Sequence, residues 1–260
     1  MHHYETIIVE KQPNKVTTVT LNRPEKLNTF NLTLAKELNE ILWTLNDDAE
    51  TRVIVIKGAG KAFCAGIDVS DFFGKSTTEY REWIDWMEKP LVTISRIAKP
   101  VIAQVHGVAA ANGCGLVAAC DLAIASDDAR MGLTAINVGL NCVGPVVAVR
   151  RSLGRKRALE MLLFGELISS KDALDMGLIN RVVPRESLDE ETQQWAARLA
   201  EKSPLAVYVA KTGFYTAEDM DYYRAFDYMN EIFARLCSTE DAQEGVRAFL
   251  EKRKPEWKER

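Results

Sequence analysis

Two short apolar runs, Val101–Val105 and Leu122–Ala125, are separated by a stretch built almost wholly of small residues. It reads Gly107-Val108-Ala109-Ala110-Ala111-Asn112-Gly113-Cys114-Gly115-Leu116. Bulky side chains are excluded there, so a second backbone or a ligand can approach closely. A strand, a tight turn, a helix and a second strand fit this order of residues. Arg52-Val53-Ile54-Val55-Ile56, which ends at Gly58-Ala59-Gly60, reads as another buried strand of the same kind. Recurrence of this unit, without a regular sequence repeat, predicts an α/β fold.

The flanking segments supply the rest. Tyr4–Glu10 and Val16–Leu21 are β-rich and divided by Gln12-Pro13-Asn14, which predicts a hairpin. Leu34, Leu38, Ile41, Leu42 and Leu45 recur at helical spacing after Asn31, a candidate cap. Residues 70–87 are polar and aromatic and read as a helical cover that Pro90 interrupts. Beyond Pro184 only helices are expected, over Leu188–Glu201, Pro204–Tyr215, Met220–Cys237 and Thr239–Lys252. The chain therefore divides into an α/β core, residues 1–184, and a helical region, residues 185–260. In the third of those helices Tyr222, Phe226, Met229 and Phe233 form an aromatic stripe whose expected role is packing.

Composition excludes several classes. With 33 basic and 37 acidic residues, a net charge of −4 lacks the surplus of a nucleic-acid binder. No run of about 18 apolar residues escapes a charge or helix breaker, so no membrane span is expected. Met1-His2-His3-Tyr4-Glu5 has no apolar signal region, and a frayed end is the simplest role for His2 and His3. The five cysteines form no CxxC pair, which suits reduced thiols in the cytoplasm. Only His106 lies away from the terminus, so no metal is expected.

Seven segments in fixed order resemble the enoyl-CoA hydratase/isomerase, or crotonase, superfamily. They are Val19–Asn28, Gly60–Asp68, Lys99–Ala103 through Gly107, Gly113-Cys114 through Cys120-Asp121, Ala158–Leu163, Ala173–Ile179, and Glu240–Gly245 to Phe249–Pro255. This resemblance implies a spiral of ββα units with a helical C-terminal region that builds homotrimers, often paired into hexamers. It implies an acyl-CoA thioester as substrate and no separate cofactor. The common step is stabilisation of a thioester enolate by two backbone N–H groups, here those of Ile67 and Asn112. Asn112 stands where glycine is more usual, and asparagine tolerates unusual backbone angles. Lys26, Leu27, Cys64, Ala65 and Asp68 match the stretch that cradles coenzyme A, although Asp68 has a second reading as a loop tie.

One departure bears on mechanism. The two glutamates that hold and deprotonate water in a hydratase of this type fall at Gly115 and Ala135, and neither residue transfers a proton. Replacements are sought in the loop Leu140-Asn141-Cys142-Val143-Gly144-Pro145, where Cys142 is a candidate base or nucleophile beside a reading as an inert thiol. Asn137 and Asn141 can orient a partner, or simply bond the turn. The cover offers Asp71, Glu79, Glu82, Asp85 and Glu88, for which a solvated face is the plainer reading; His106 is assigned a structural role. Three functions stay open. The first is a hydratase-like lyase with non-standard acid/base; the second a decarboxylase, isomerase or thioester hydrolase of the same type; the third an acyl-CoA binding protein without chemistry.

Overall fold

The predicted hairpin forms between β1 (Ile7–Lys11) and β2 (Val16–Leu21), antiparallel, with Ile7 opposite Leu21. The computed structural model describes residues 4–260, apart from the side chain of Asp71; His2 and His3 lie outside the described residues. From β2 onward the large sheet is parallel. It adds β3 (Val53–Gly58), β4 (Val101–Val105), β6 (Leu122–Ser126) and β9 (Arg181–Val183) in the order β1-β2-β3-β4-β6-β9.

Both faces of that sheet are covered, so its inner strands are buried along most of their length, the polar Thr17, Thr18, Thr20 and Gln104 included. Along β3, Ile54 and Ile56 enter the main core with Leu34, Leu38 and Leu42 of α1 (Leu32–Asp47). Val53 and Val55 point the other way, into a second cluster with Leu188, Ala196 and Ala200 of α6 (Leu188–Ala200). The first helix of the region after residue 184 is thus docked on the core and closes the sheet. Asn31 caps α1 by accepting from Leu34 N at 2.9 Å, an arrangement typically contributing about 1 kcal/mol.

Two expectations change. Val108–Ala110 form a short strand, β5, before the helix opens; it pairs with β7 (Arg130–Gly132), which pairs in turn with β8 (Ile168–Ser169). The helix that follows, α3, spans Asn112–Ala119. The cover helix α2 (Thr77–Arg96) runs through Pro90 instead of stopping there. Pro90 is buried and has no N–H, so Trp86 loses its helical donor, but the flanking apolar residues Met87, Leu91 and Ile94 anchor the helix to the core.

The remaining helices are α4 (Pro145–Phe164, broken at Gly154, φ 70° and ψ 173°), α5 (Ser170–Met176), α7 (Pro204–Ala217), α8 (Tyr222–Cys237) and α9 (Glu240–Leu250). A buried ion pair, Lys211 Nζ to Asp121 Oδ2 at 2.7 Å, fastens α7 to the end of α3. The stripe of α8 packs inside the chain only in part: Met229 lies against Gly213 of α7, and its aromatic members do not follow. No residue of α8 is buried, and Tyr222, Phe226 and Phe233 are exposed.

Candidate functional site

Two tight turns meet beneath α2. In the first, Phe30 bonds to both sides of Ile67: Phe30 N donates to Gly66 O and Asp68 N donates to Phe30 O, each at 2.8 Å. That parallel bridge turns the N–H of Ile67 away from Phe30. In the second, Ala110 N donates to Cys64 O at 2.9 Å and Ala111 N to Gly132 O at 2.8 Å, which brings the chain to the start of α3. The N–H of Asn112 is then an unpaired donor of the first helical turn. Among the described residues, neither the Ile67 nor the Asn112 N–H has an acceptor.

Each of these amides follows a residue with positive φ: Gly66 (φ 121°) before Ile67, and Ala111 (φ 49°, ψ −114°) before Asn112. The unusual backbone was expected at Asn112 itself, and alanine carries it instead. Such a conformation costs an L-residue about 1–3 kcal/mol and persists only where its surroundings enforce it. Here the bonds of Ala110 and Ala111 on either flank enforce it. Asn112 has a different task. Its Nδ2 donates to the carbonyl of Met87 in α2 at 2.8 Å, with both residues buried.

A cavity of about 500 Å³ opens in front of the two turns. Its wall includes Ala65, Ile67, Ala111 and Asn112 from the turns, and Tyr80, Ile84 and Glu88 from α2. Ala135, Asn141, Cys142 and Pro145 close the far side. Apolar walls with few polar groups are the usual make-up of a small-molecule site.

The residues matched to coenzyme A separate. Lys26 and Leu27 are exposed and do not line the cavity, whereas Ala65 does, and its N–H donates to Leu27 O at 3.0 Å. Cys64 does not belong with them. It is fully buried, its N–H donates to Val108 O and its carbonyl accepts from Ala110, so no group of it is left for a ligand. Burial pushes its thiol up to about 12. Asp68 takes the loop-tie role: Oδ2 accepts from Arg23 Nη2 at 2.9 Å, and Oδ1 accepts from Ser70 Oγ at 2.7 Å. Those hydrogen bonds, Ser70 first and Arg23 next, hold its carboxyl at about 2.

Among the acid/base candidates, Cys142 reaches the cavity but is 3% exposed. Burial first, then the charge of Glu88, raise its thiol above the ordinary value, which opposes the thiolate that a base or nucleophile needs. Asn141 is exposed at the mouth, and Asn137 donates to Gly165 O at 2.8 Å, a turn tie. Ring atom Nε2 of His106 lies 3.0 Å from Gly60 O, and burial lowers its pKa, so it serves the fold. Glu79 completes a capping box with Ser76, Asp85 pairs with Arg81 at 3.0 Å, and Glu82 is exposed. The side chain of Asp71 is outside the described residues.

Gly115 and Ala135 differ in the space they leave. A Cβ at Gly115 would lie 2.7 Å from Pro145 Cβ and 3.0 Å from Leu91 Cδ2. That position is filled by its neighbours. Ala135 is half-buried and faces the cavity.

Comparison with known proteins agrees with this architecture. A family model described as enoyl-CoA hydratase/isomerase matches residues 11–260. Enoyl-CoA hydratase domain-containing protein 3, mitochondrial, from Homo sapiens is 40% identical over 212 residues, or 81% of this chain and 70% of that protein. The crotonyl-CoA hydratase of Syntrophomonas wolfei is 34% identical over 253 residues, 96% of this chain and 97% of the relative. A crystal structure of an enoyl-CoA hydratase from Mycobacterium smegmatis superposes with a TM-score of 0.94 at 40% identity, covering 97% of this chain and 99% of that one.

Proposed function

This chain belongs to the enoyl-CoA hydratase/isomerase family, and from that premise we propose that it is an acyl-CoA enzyme, a hydratase-like lyase whose acid/base group is not at position 115 or 135. The observation that carries this reading is the pair of acceptor-free N–H groups, Ile67 and Asn112, on one cavity wall. A thioester oxygen accepts from both, and the bonds strengthen as negative charge moves onto it. Preorganised donors of this kind contribute about 2.7–4 kcal/mol each to lowering a barrier. The start of α3 adds its partial positive charge to the same spot.

Lys26, Leu27 and Ala65 mark the course along which the coenzyme A portion lies in this reading, with main chain supplying most contacts. The cavity volume suits a short acyl group, in keeping with the printed name of the Syntrophomonas wolfei relative. Copies of this chain assemble through α8 and α9, whose Phe226, Phe233 and Phe249 are exposed; trimers or paired trimers bury them.

Calorimetry with crotonyl-CoA and butanoyl-CoA, together with loss of the enoyl absorbance during hydration, tests the reading. Binding with measurable hydration supports it. Absence of binding to either thioester would overturn it. Release of CO₂ from a malonyl-type thioester, without hydration of the enoyl one, would move the chain to a different reaction of the same enolate.

A further inference from the structure

Glu88 is the carboxylate on the wall of the cavity that holds the Ile67 and Asn112 amides. It is half-buried, and among the described residues it has no hydrogen-bond or ion-pair partner. Its neighbours on α2 are all occupied or turned outward: Asp85 binds Arg81, Glu82 is exposed, and Glu79 caps the helix. The carboxyl rests against Gly144, where any Cβ would collide with it. Gly144 precedes Pro145, the residue packed on Gly115. A carboxylate delivered from α2 therefore stands against the residue just before Pro145, which itself fills the space at Gly115.

One contact ties the stretch of α2 that carries this carboxylate to Asn112. Met87, immediately before Glu88, is fully buried, and its carbonyl accepts from Asn112 Nδ2 at 2.8 Å. Glu88 also borders a second cavity of about 530 Å³, reaching Cys120, Asp121 and Arg151, which gives its proton a path away from the thioester side.

Resting on the proposed acyl-CoA function, we propose that Glu88 is the catalytic acid/base of this enzyme, moving the proton to and from the substrate α-carbon. In hydration, its carboxylate takes a proton from water as the oxygen bonds to the β-carbon. The Cα=Cβ electron pair moves to make the enolate, whose charge rests on the oxygen held by the two amides. Glu88 then returns its proton to the α-carbon as the carbonyl re-forms. One water is added, and the carboxylate ends as it began. Burial, aided by the Asp85 carboxylate and opposed by Arg81, raises the pKa of Glu88. That shift brings it closer to neutrality, where a group that both accepts and gives a proton works best. The other titratable or charged groups on this side are Tyr80, Arg81 and the neutral Cys142 around the first cavity and, around the second, Cys120, Asp121, Tyr215 and Arg151 with Glu218 and Asp219.

The test is exchange of the α-hydrogens of butanoyl-CoA in D₂O, read by mass, with binding measured in parallel. Exchange needs a base and an enolate but no particular overall reaction. In the Glu88→Gln variant exchange should fall by about 10²–10⁴-fold while thioester affinity is kept. The rate of the unaltered protein should decline on the acid side, beginning above the ordinary glutamate value of about 4.3. Exchange by Glu88→Gln within about threefold of the unaltered protein would overturn the assignment, taking general acid–base help as at least about 10²-fold. So would thioester binding without any exchange. Absence of binding instead strikes the proposed function. If Glu88→Gln fails to fold, Gly144→Ala, which displaces the carboxyl without removing it, must lower exchange in the same way.

Discussion

Gly66 and Ala111 face each other so closely that a Cβ at Gly66 would lie 3.2 Å from that of Ala111. The peptide groups that follow them belong to Ile67 and Asn112, so this contact sets how far apart the two donors stand. Gly66→Ala adds a side chain at φ 121° as well as filling the gap. It should reduce turnover by about 10²–10³-fold, comparable to losing one such donor, with a smaller loss of thioester affinity. Steady-state rates and calorimetry on the folded variant check this.

Glutamates placed at 115 and 135, where the family resemblance puts them, should not produce ordinary hydratase chemistry. Gly115→Glu must displace Pro145 and Leu91, and overpacking of this kind costs about 1–3 kcal/mol. Ala135→Glu alone should fold with nearly unchanged Tm, since that side chain faces the cavity. The double variant should melt several degrees lower, taking about 2–4 °C per kcal/mol for a chain of this size, and hydrate crotonyl-CoA no faster. Thermal scans and hydration rates decide it.

Thiol chemistry should be silent at the site. Cys64, Cys114, Cys120 and Cys142 are buried, and Cys237 is exposed. Titration of the native protein at mildly alkaline pH with an aromatic disulfide reagent should label Cys237 and spare the others. Cys142→Ala should keep turnover within about threefold, because general acid–base loss would cost at least about 10²-fold. A larger fall would return Cys142 to the mechanism.

The strands were legible because a sheet covered on both sides favours apolar runs, and Val53-Ile54-Val55-Ile56 is one. The close approach was legible as well, since the small residues from Gly107 to Gly115 leave room that a Cβ would fill, as at Gly113 against Cys64; Ile67 and Asn112 were singled out by the family resemblance alone. The small second sheet was not, since β5, β7 and β8 span three, three and two residues, too short for any periodicity to register. Nor was Glu88. The cover acids read as a solvated face, yet Asp85 and Glu88, three residues apart at about 100° each, stand roughly 60° from one another, enough to put Asp85 in solvent and Glu88 in the wall. The signal available was Tyr80, Ile84 and Glu88 at successive four-residue steps, an acid continuing an apolar line.

Asp68 should contribute to stability in a pH-dependent way. Its carboxyl is held at about 2, below the unfolded value of about 3.9. The stabilisation is therefore complete above the unfolded value and is lost as pH falls through the folded one. Asp68→Asn should cost about 1–2 kcal/mol at neutral pH and only a small fraction of that near pH 2, where the folded carboxyl is half protonated. Chemical denaturation at both pH values tests the sign.

Closure of the sheet by α6 has a consequence for biosynthesis. Val16, Val53, Val55, Ile102 and Ile124 all wait for Leu188, Ala196 and Ala200 to cover them. Every strand of the large sheet leaves the ribosome before its cover does, and the nascent chain carries an open apolar face until residue 200 emerges. Such long-range closure slows folding and favours association of incomplete chains. A polypeptide ending at residue 184 would hold the whole cavity wall and still precipitate, whereas one ending just after α6 would keep its β-layer dry.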